Sequence, residues 1–207
     1  MSFNIENLDD VHLDVLTEIG NIGAGNAATS LSIMVNKPID MNVPQLNIIK
    51  FNEVESILGG AEKQVTGIYL EFYGDVTGTI MFVLDAASTV NLLALLLNKH
   101  RQEEQIIELD EIELSALKEV ANILTGSFIT ALSDMTGLSI KHTIPELSID
   151  MAGAILSVPL IVFGQQGDRA LFIETNFSEG MDKVTGHFFL IPNLDSYVIL
   201  LESLGVA

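Results

Sequence analysis

Two short constellations hold the residue types and spacings that could do chemistry. Asp14-x3-Glu18-x2-Asn21 is followed by Pro44, and Ser115-x3-Glu119-x2-Asn122 by Pro145, every matched position lying 101 residues after its counterpart. On a helix, an i, i+4, i+7 spacing at about 100° per residue gathers three side chains within roughly 60° of one another. Each copy therefore forms one polar stripe. The side chains limit what such a stripe can do. A carboxamide is no base near neutral pH and acts only by hydrogen-bonding a water or another polar group, whereas a carboxylate can pair with a cation. Asp14 and Glu18 could alternatively serve as the paired carboxylates of a small-molecule hydrolase, provided both face a pocket. A solvated helix face is the ordinary explanation of any single stripe. Duplication changes that, because drift should scramble an exposed face between two diverged halves, yet Glu, Asn and a distant Pro survive at one offset.

The elements that must position the stripes follow from periodicity. Behind the polar residues run Leu16, Gly20, Gly23 and Ala27 in one copy and Leu117, Ala121, Leu124 and Phe128 in the other, the expected buried faces. A Gly inside a helix costs about 1 kcal/mol against Ala, and close approach of another helix is the expected compensation. Helical period runs from about Leu8 to Val35 and ends before Pro38; a strand follows to Phe51. After Gly59-Gly60, residues Gly67 to Asp85 alternate apolar and polar around Gly74-Asp75, predicting a hairpin. Ala86 to Asn98 reads as a buried helix, and Lys99 to Asp110 as a charged connector. A second long helix, from about Asp110 to Met135, stops at Gly137, with strands running to Pro145. Val184-Thr185-Gly186 then echoes Val76-Thr77-Gly78 at an offset of 108, placing about seven extra residues in the second hairpin near Ser178 to Lys183. Asp195 to Leu204 matches the Ala86 helix. The order helix, strand, hairpin, helix is expected twice, at about 8–100 and 110–207, in a single α/β domain with pseudo-two-fold symmetry.

Composition narrows the function classes. An apolar fraction of 48% over 207 residues is ample for a packed core. Nine Lys and Arg against 28 Asp and Glu give a formal charge of -19, which repels phosphate backbones and makes nucleic acid a poor partner. The absence of cysteine agrees with an intracellular protein and speaks against redox chemistry. Met151 to Phe163, the longest strongly apolar stretch, is shorter than the roughly 20 residues of a membrane helix, and Met1 to Asp10 is acidic with no signal-peptide pattern. A cytoplasmic location without membrane insertion is expected. Gly20, Gly23 and Gly25 resemble a phosphate-binding loop only superficially, since no strand precedes them and helical period runs through them. The four histidines, His12, His100, His142 and His187, have no ligand spacing, so no metal site is expected. No G-x-S-x-G stands between a strand and a helix, which leaves acyl transfer unsupported.

Both copies fit, without a gap, the pattern of the CheC family of chemotaxis phosphatases: Asp or Ser, three residues, Glu, two residues, Asn, twenty-two residues, Pro. Glu18-Ile19-Gly20-Asn21-Ile22-Gly23-Ala24-Gly25-Asn26 and Glu119-Val120-Ala121-Asn122-Ile123-Leu124-Thr125-Gly126 resemble the two family helices, and the likeness extends from about Leu8 to the C-terminus. The resemblance implies a CheC-like fold of helices packed on antiparallel strands. It implies dephosphorylation of the aspartyl phosphate of the response regulator CheY, with Glu18, Asn21, Glu119 and Asn122 as the active residues. Asn21 or Asn122 would hold a water in line with phosphorus, and Glu18 or Glu119 would pair with a CheY lysine. The Mg2+ that steadies developing charge would belong to CheY, so no cofactor of the chain's own is expected. Asp14 and Ser115 would orient or cap locally, and Pro44 and Pro145 would fix a bend. The family also implies a second partner, the receptor deamidase CheD, docking on Pro145 to Met151 with Asp150 as the candidate contact, although a local cap accounts for that Asp equally well. The competing class is a non-catalytic binding module related to flagellar switch proteins. Because the repeat pairs within one chain, a monomer is expected.

Overall fold

The computed structural model describes residues 10–97, 109–163, 169–179 and 182–205. The predicted helix start at Leu8 and most of the connector from Lys99 lie outside those residues. In chain order the elements are α1 (Asp10–Val35), β1 (Asp40–Lys50), α2 (Phe51–Ile57), β2 (Gln64–Gly74), β3 (Gly78–Asp85), α3 (Ala86–Leu97), α4 (Glu111–Thr136), β4 (Ile140–His142), β5 (Glu146–Met151), α5 (Ala152–Phe163), β6 (Arg169–Glu179), β7 (Asp182–Pro192) and α6 (Leu194–Ser203). Helices pack on one antiparallel sheet, the mixed layered class expected. Two helices, α2 and α5, are absent from the order read in the sequence. Seven residues of α2 are too few to display a 3.6-residue period, and α5 is apolar all round, so neither carries a one-sided pattern.

Local chemistry fixes the ends of the two long helices. Asp110 caps α4: its Oδ1 accepts from the Glu113 N–H at 2.9 Å, while the Glu113 carboxylate accepts from the Asp110 N–H at 2.9 Å. Both helices stop on a left-handed residue, Asn36 with φ 53° and Gly137 with φ 72°, again 101 positions apart. Asn and Gly are the residues that reach this region at least cost, which is why the chain can turn there into a strand.

The sheet runs β1-β6-β7-β3-β2-β4, with β5 also paired to β2. The first strand of each half therefore lies against the hairpin of the other half. Asp40 to Lys50 pairs with Arg169 to Ser178, and Gln64 to Tyr69 with Glu146 to Met151. The hairpins meet at the centre, where Phe82 lies opposite Phe188. Phe72 faces Gly78 across the first hairpin and Thr175 faces Gly186 across the second, enclosing residues 73–77 and 176–185 respectively. The extra length predicted near Ser178 to Lys183 is thus continued strand, since Ser178 pairs with Lys183 and Glu179 with Asp182.

One face of the sheet, carrying Ile68, Leu70, Phe72, Ile80, Phe82, Leu84, Ile173, Phe188 and Leu190, is covered by α1, α3, α4 and α6. The other, with Val65, Met81, Val83, Phe172 and Phe189, is covered by Val54 of α2, by Leu58 just after it, and by Ala152 and Leu156 of α5. The turn after β2 is tied to the end of α4: the Asp75 N–H donates to the Ser139 carbonyl at 3.0 Å, and the Ser139 N–H to Asp75 Oδ2 at 2.7 Å. The C-terminal end of α4 is thereby anchored against the sheet.

Candidate functional site

Every residue of the predicted buried faces is buried: Leu16, Gly20, Gly23 and Ala27 in α1, and Leu117, Ala121, Leu124 and Phe128 in α4. That burial sets the rotation of both helices and turns the polar stripes outward. Asp14, Glu18 and Asn21 are exposed, as are Ser115 and Glu119, while Asn122 is half-buried. Helices α1 and α4 are neighbours, in contact where Gly23 meets the Phe128 backbone. The stripes are thus two faces of one helical layer, on its solvent side.

None of these six side chains has a hydrogen bond or ion pair to another of the described residues. Asn21 and Asn122 consequently keep both the donor and the acceptor ends of their carboxamides for an external group. The local bonds expected of Asp14 and Ser115 are not present among the described residues. Asp110 and Glu113 carry out the capping of α4, and Asp14 lies a full turn inside α1.

Pro44 and Pro145 sit at matching irregularities. In β1 the register against β6 shifts between Asn42 and Gln45, so that Val43 and Pro44 together oppose Thr175. In the second half, residues 143–145 separate β4 from β5 and oppose Leu70 and Glu71 of β2. Each half thus carries one extra residue at its proline, as a bulge requires, and a proline is tolerated there because it has no N–H to give the ladder. The interruption in the second half is braced by Thr143, whose N–H donates to the Glu71 carbonyl at 2.9 Å and whose Oγ1 accepts from the Glu71 N–H at 3.0 Å.

Asp150 is exposed on β5, and its Oδ1 accepts from the Met151 N–H at 2.7 Å, just ahead of α5. A groove of about 300 Å3 lies beside this strand on the α5 face, lined by Gly67, Tyr69, Met81, Glu146, Ser148 and Ile155. The Tyr69 hydroxyl there shares hydrogen bonds with Thr79 at 3.2 Å and Glu71 at 3.3 Å, and burial raises its pKa. A second cavity, of about 20 Å3 between α1, α4 and the sheet, is large enough for little more than one water. Neither cavity touches Asp14 or Glu18, which are exposed, so neither is the pocket that a paired-carboxylate hydrolase would need. Among the described residues no helix is long and apolar enough to cross a membrane.

The CheC-like family model matches the chain twice, at residues 11–48 and 112–149. Each match begins in a long helix and ends past the proline, and the two are 101 residues apart. The chain is 33% identical to the CheY-P phosphatase CheC of Bacillus subtilis (strain 168) over 202 residues, 97% of either protein. This chain belongs to the CheC-like family. It is also 23% identical to the flagellar motor switch phosphatase FliY of Bacillus subtilis over 145 residues, 70% of this chain and 37% of FliY. The crystal structure of Thermotoga maritima FliY superposes with a TM-score of 0.76 at 26% identity, covering 96% of this chain and 98% of that one.

For a CheC-like chain, some features of the two helices escaped the triad pattern although the sequence carries them. Asp110-x2-Glu113 is a capping box readable from spacing alone. Asn36 and Gly137 recur at the same offset as the triads and mark the two helix stops. Glycines 25 and 126 recur at that offset as well, one turn beyond Asn21 and Asn122.

Proposed function

We propose that this chain is a phosphatase acting on the aspartyl phosphate of the chemotaxis response regulator CheY. The observation that carries the reading is the pair of outward stripes, each with an Asn carboxamide and a Glu carboxylate that bond to no other described residue. The near full-length likeness to a CheY-P phosphatase supports it. In the proposed reaction a water held by Asn21 or Asn122 attacks phosphorus from the side opposite the acyl oxygen. The bond between phosphorus and that oxygen breaks and its electron pair stays on the CheY aspartate, yielding free carboxylate and inorganic phosphate. The water's surplus proton goes to phosphate or solvent, since a carboxamide takes none. Mg2+ arrives as part of the substrate, bound to CheY, where it neutralises charge on the transferring oxygens. Glu18 or Glu119 holds the partner through a lysine beside the phosphoryl group.

The test is the decay of phosphorylated CheY with the wild type, Asn21→Ala, Asn122→Ala and the double substitution, each checked for folding. The reading requires the folded double variant to lose the acceleration. A fully active double variant, or an inactive wild type, sinks it and leaves the binding module of the flagellar switch type. The same family supports CheD as a second partner through Pro145 to Met151. Undiminished capture of CheD by Asp150→Lys would remove that residue from the interface.

A further inference from the structure

Gly25 and Gly126 stand in the middle of long helices, at positions where a glycine weakens the helix relative to alanine. Nothing among the described residues requires them. Neither has a positive φ, and a Cβ built on Gly25 would meet no atom within 4 Å. A Cβ on Gly126 would touch only Nε2 of His142, at 3.5 Å, an ordinary contact. Gly23, two residues before Gly25, is different, because its Cβ would press on the Phe128 backbone. Packing explains Gly23 and leaves the other two without a reason among the described residues.

Their place on the helices supplies one. Gly25 follows Asn21 by four residues and Gly126 follows Asn122 by four, so each lies on the neighbouring turn of the same stripe. Helical side chains lean toward the N-terminus, so any side chain at 25 or 126 would stand over the turn that carries the carboxamide. Ile22 is exposed and Ile123 half-buried beside the same turns, giving the bare patch an apolar edge. We infer that Gly25 and Gly126 are positioning residues for the phosphatase reaction: their missing side chains let the CheY backbone next to the phosphorylated aspartate come down onto the helix, bringing phosphorus within reach of the water held by Asn21 or Asn122. This rests on the proposed phosphatase function and adds to it the surface that sets the depth of docking.

Because two sites would mask each other, each glycine is tested with the other site disabled: Gly25→Ala in Asn122→Ala, and Gly126→Ala in Asn21→Ala. Phosphate release from phosphorylated CheY is measured across substrate concentrations, alongside thermal melting of the free protein. The expected result is a kcat/KM lowered about tenfold with kcat itself reduced, and a melting temperature equal to or above that of the parent. A kcat and kcat/KM unchanged in both variants overturn the inference while leaving the phosphatase reading intact. A melting temperature that falls together with activity also overturns it, because the glycine would then serve internal packing. If the wild type does not accelerate decay, the phosphatase reading fails first and the inference falls with it, an outcome visible before any glycine is changed.

Discussion

Gly23 of α1 lies directly on Phe128 of α4: a methyl group at Gly23 would sit 3.0 Å from the Phe128 Cα. Backbone cannot move aside as a flexible side chain can, so this contact fixes how closely the two helices approach. Gly23→Val should force them apart and cost about 1–3 kcal/mol, lowering the melting temperature by roughly 2–4 °C per kcal/mol in a chain of this size. Gly20→Ala is the contrast, since its Cβ would meet Val43 Cγ1 at an ordinary 3.5 Å. Thermal melts of both variants check the assignment, and equal melting temperatures would refute it.

The long helices were legible because one side of each must be apolar while the other is free to be polar, and that asymmetry repeats every 3.6 residues over 26 residues. The same asymmetry gave the orientation of Glu18, Asn21, Glu119 and Asn122. Partner choice among strands was not legible. Nothing in Asp40 to Lys50 states that it will lie against Arg169 to Ser178 instead of its own hairpin, because pairing depends on how two distant segments meet. The α5 helix was hidden for the opposite reason, a segment apolar on every side having no period to read.

His187 introduces a pH dependence. It sits on β7 with its ring stacked on Phe172, centroids 5.6 Å apart, and its Nδ1 is buried without a hydrogen-bond partner among the described residues. Burial lowers its pKa from the ordinary 6.5, outweighing the opposing pull of Glu174 and Asp85. Because the folded protein binds this proton less readily than the unfolded chain, acid favours unfolding. The loss begins as pH falls through 6.5 and is complete below the depressed folded value. His187→Phe keeps an aromatic ring beside Phe172 and removes the titration. Between pH 7.5 and the lower side of that window, its melting temperature should fall less than the wild type's. Parallel curves would show that the imidazole contributes nothing to the acid response.

The glutamates should affect docking more than chemistry. An exposed ion pair is worth up to about 1 kcal/mol, roughly fivefold in affinity. Glu119→Gln with the first site disabled by Asn21→Ala, and Glu18→Gln with the second disabled by Asn122→Ala, should therefore raise KM for phosphorylated CheY by up to about fivefold with little change in kcat. The wild-type KM should also rise with ionic strength, and the Gln variants should respond less, because salt screens the pair they have lost. A fall in kcat at unchanged KM would instead place the carboxylate at the reacting phosphorus.

Strand exchange between the halves predicts how the chain tolerates being cut. Without the second half, β1 loses β6, and β2 loses β4 and β5. Without the first half, β6 and β7 lose β1 and β3. Phe82 and Phe188 would also lose each other across the centre of the sheet. Each isolated half would expose sheet edges and the apolar face that covers its neighbour, which favours aggregation over a folded unit. A chain cut within 98–108 should therefore yield fragments that lack cooperative melting when separate and regain it when refolded together as a one-to-one complex. Calorimetry and gel filtration of the separate and mixed fragments measure this. A half that melts cooperatively as a monomer would mean the exchanged strands are dispensable to the folding unit.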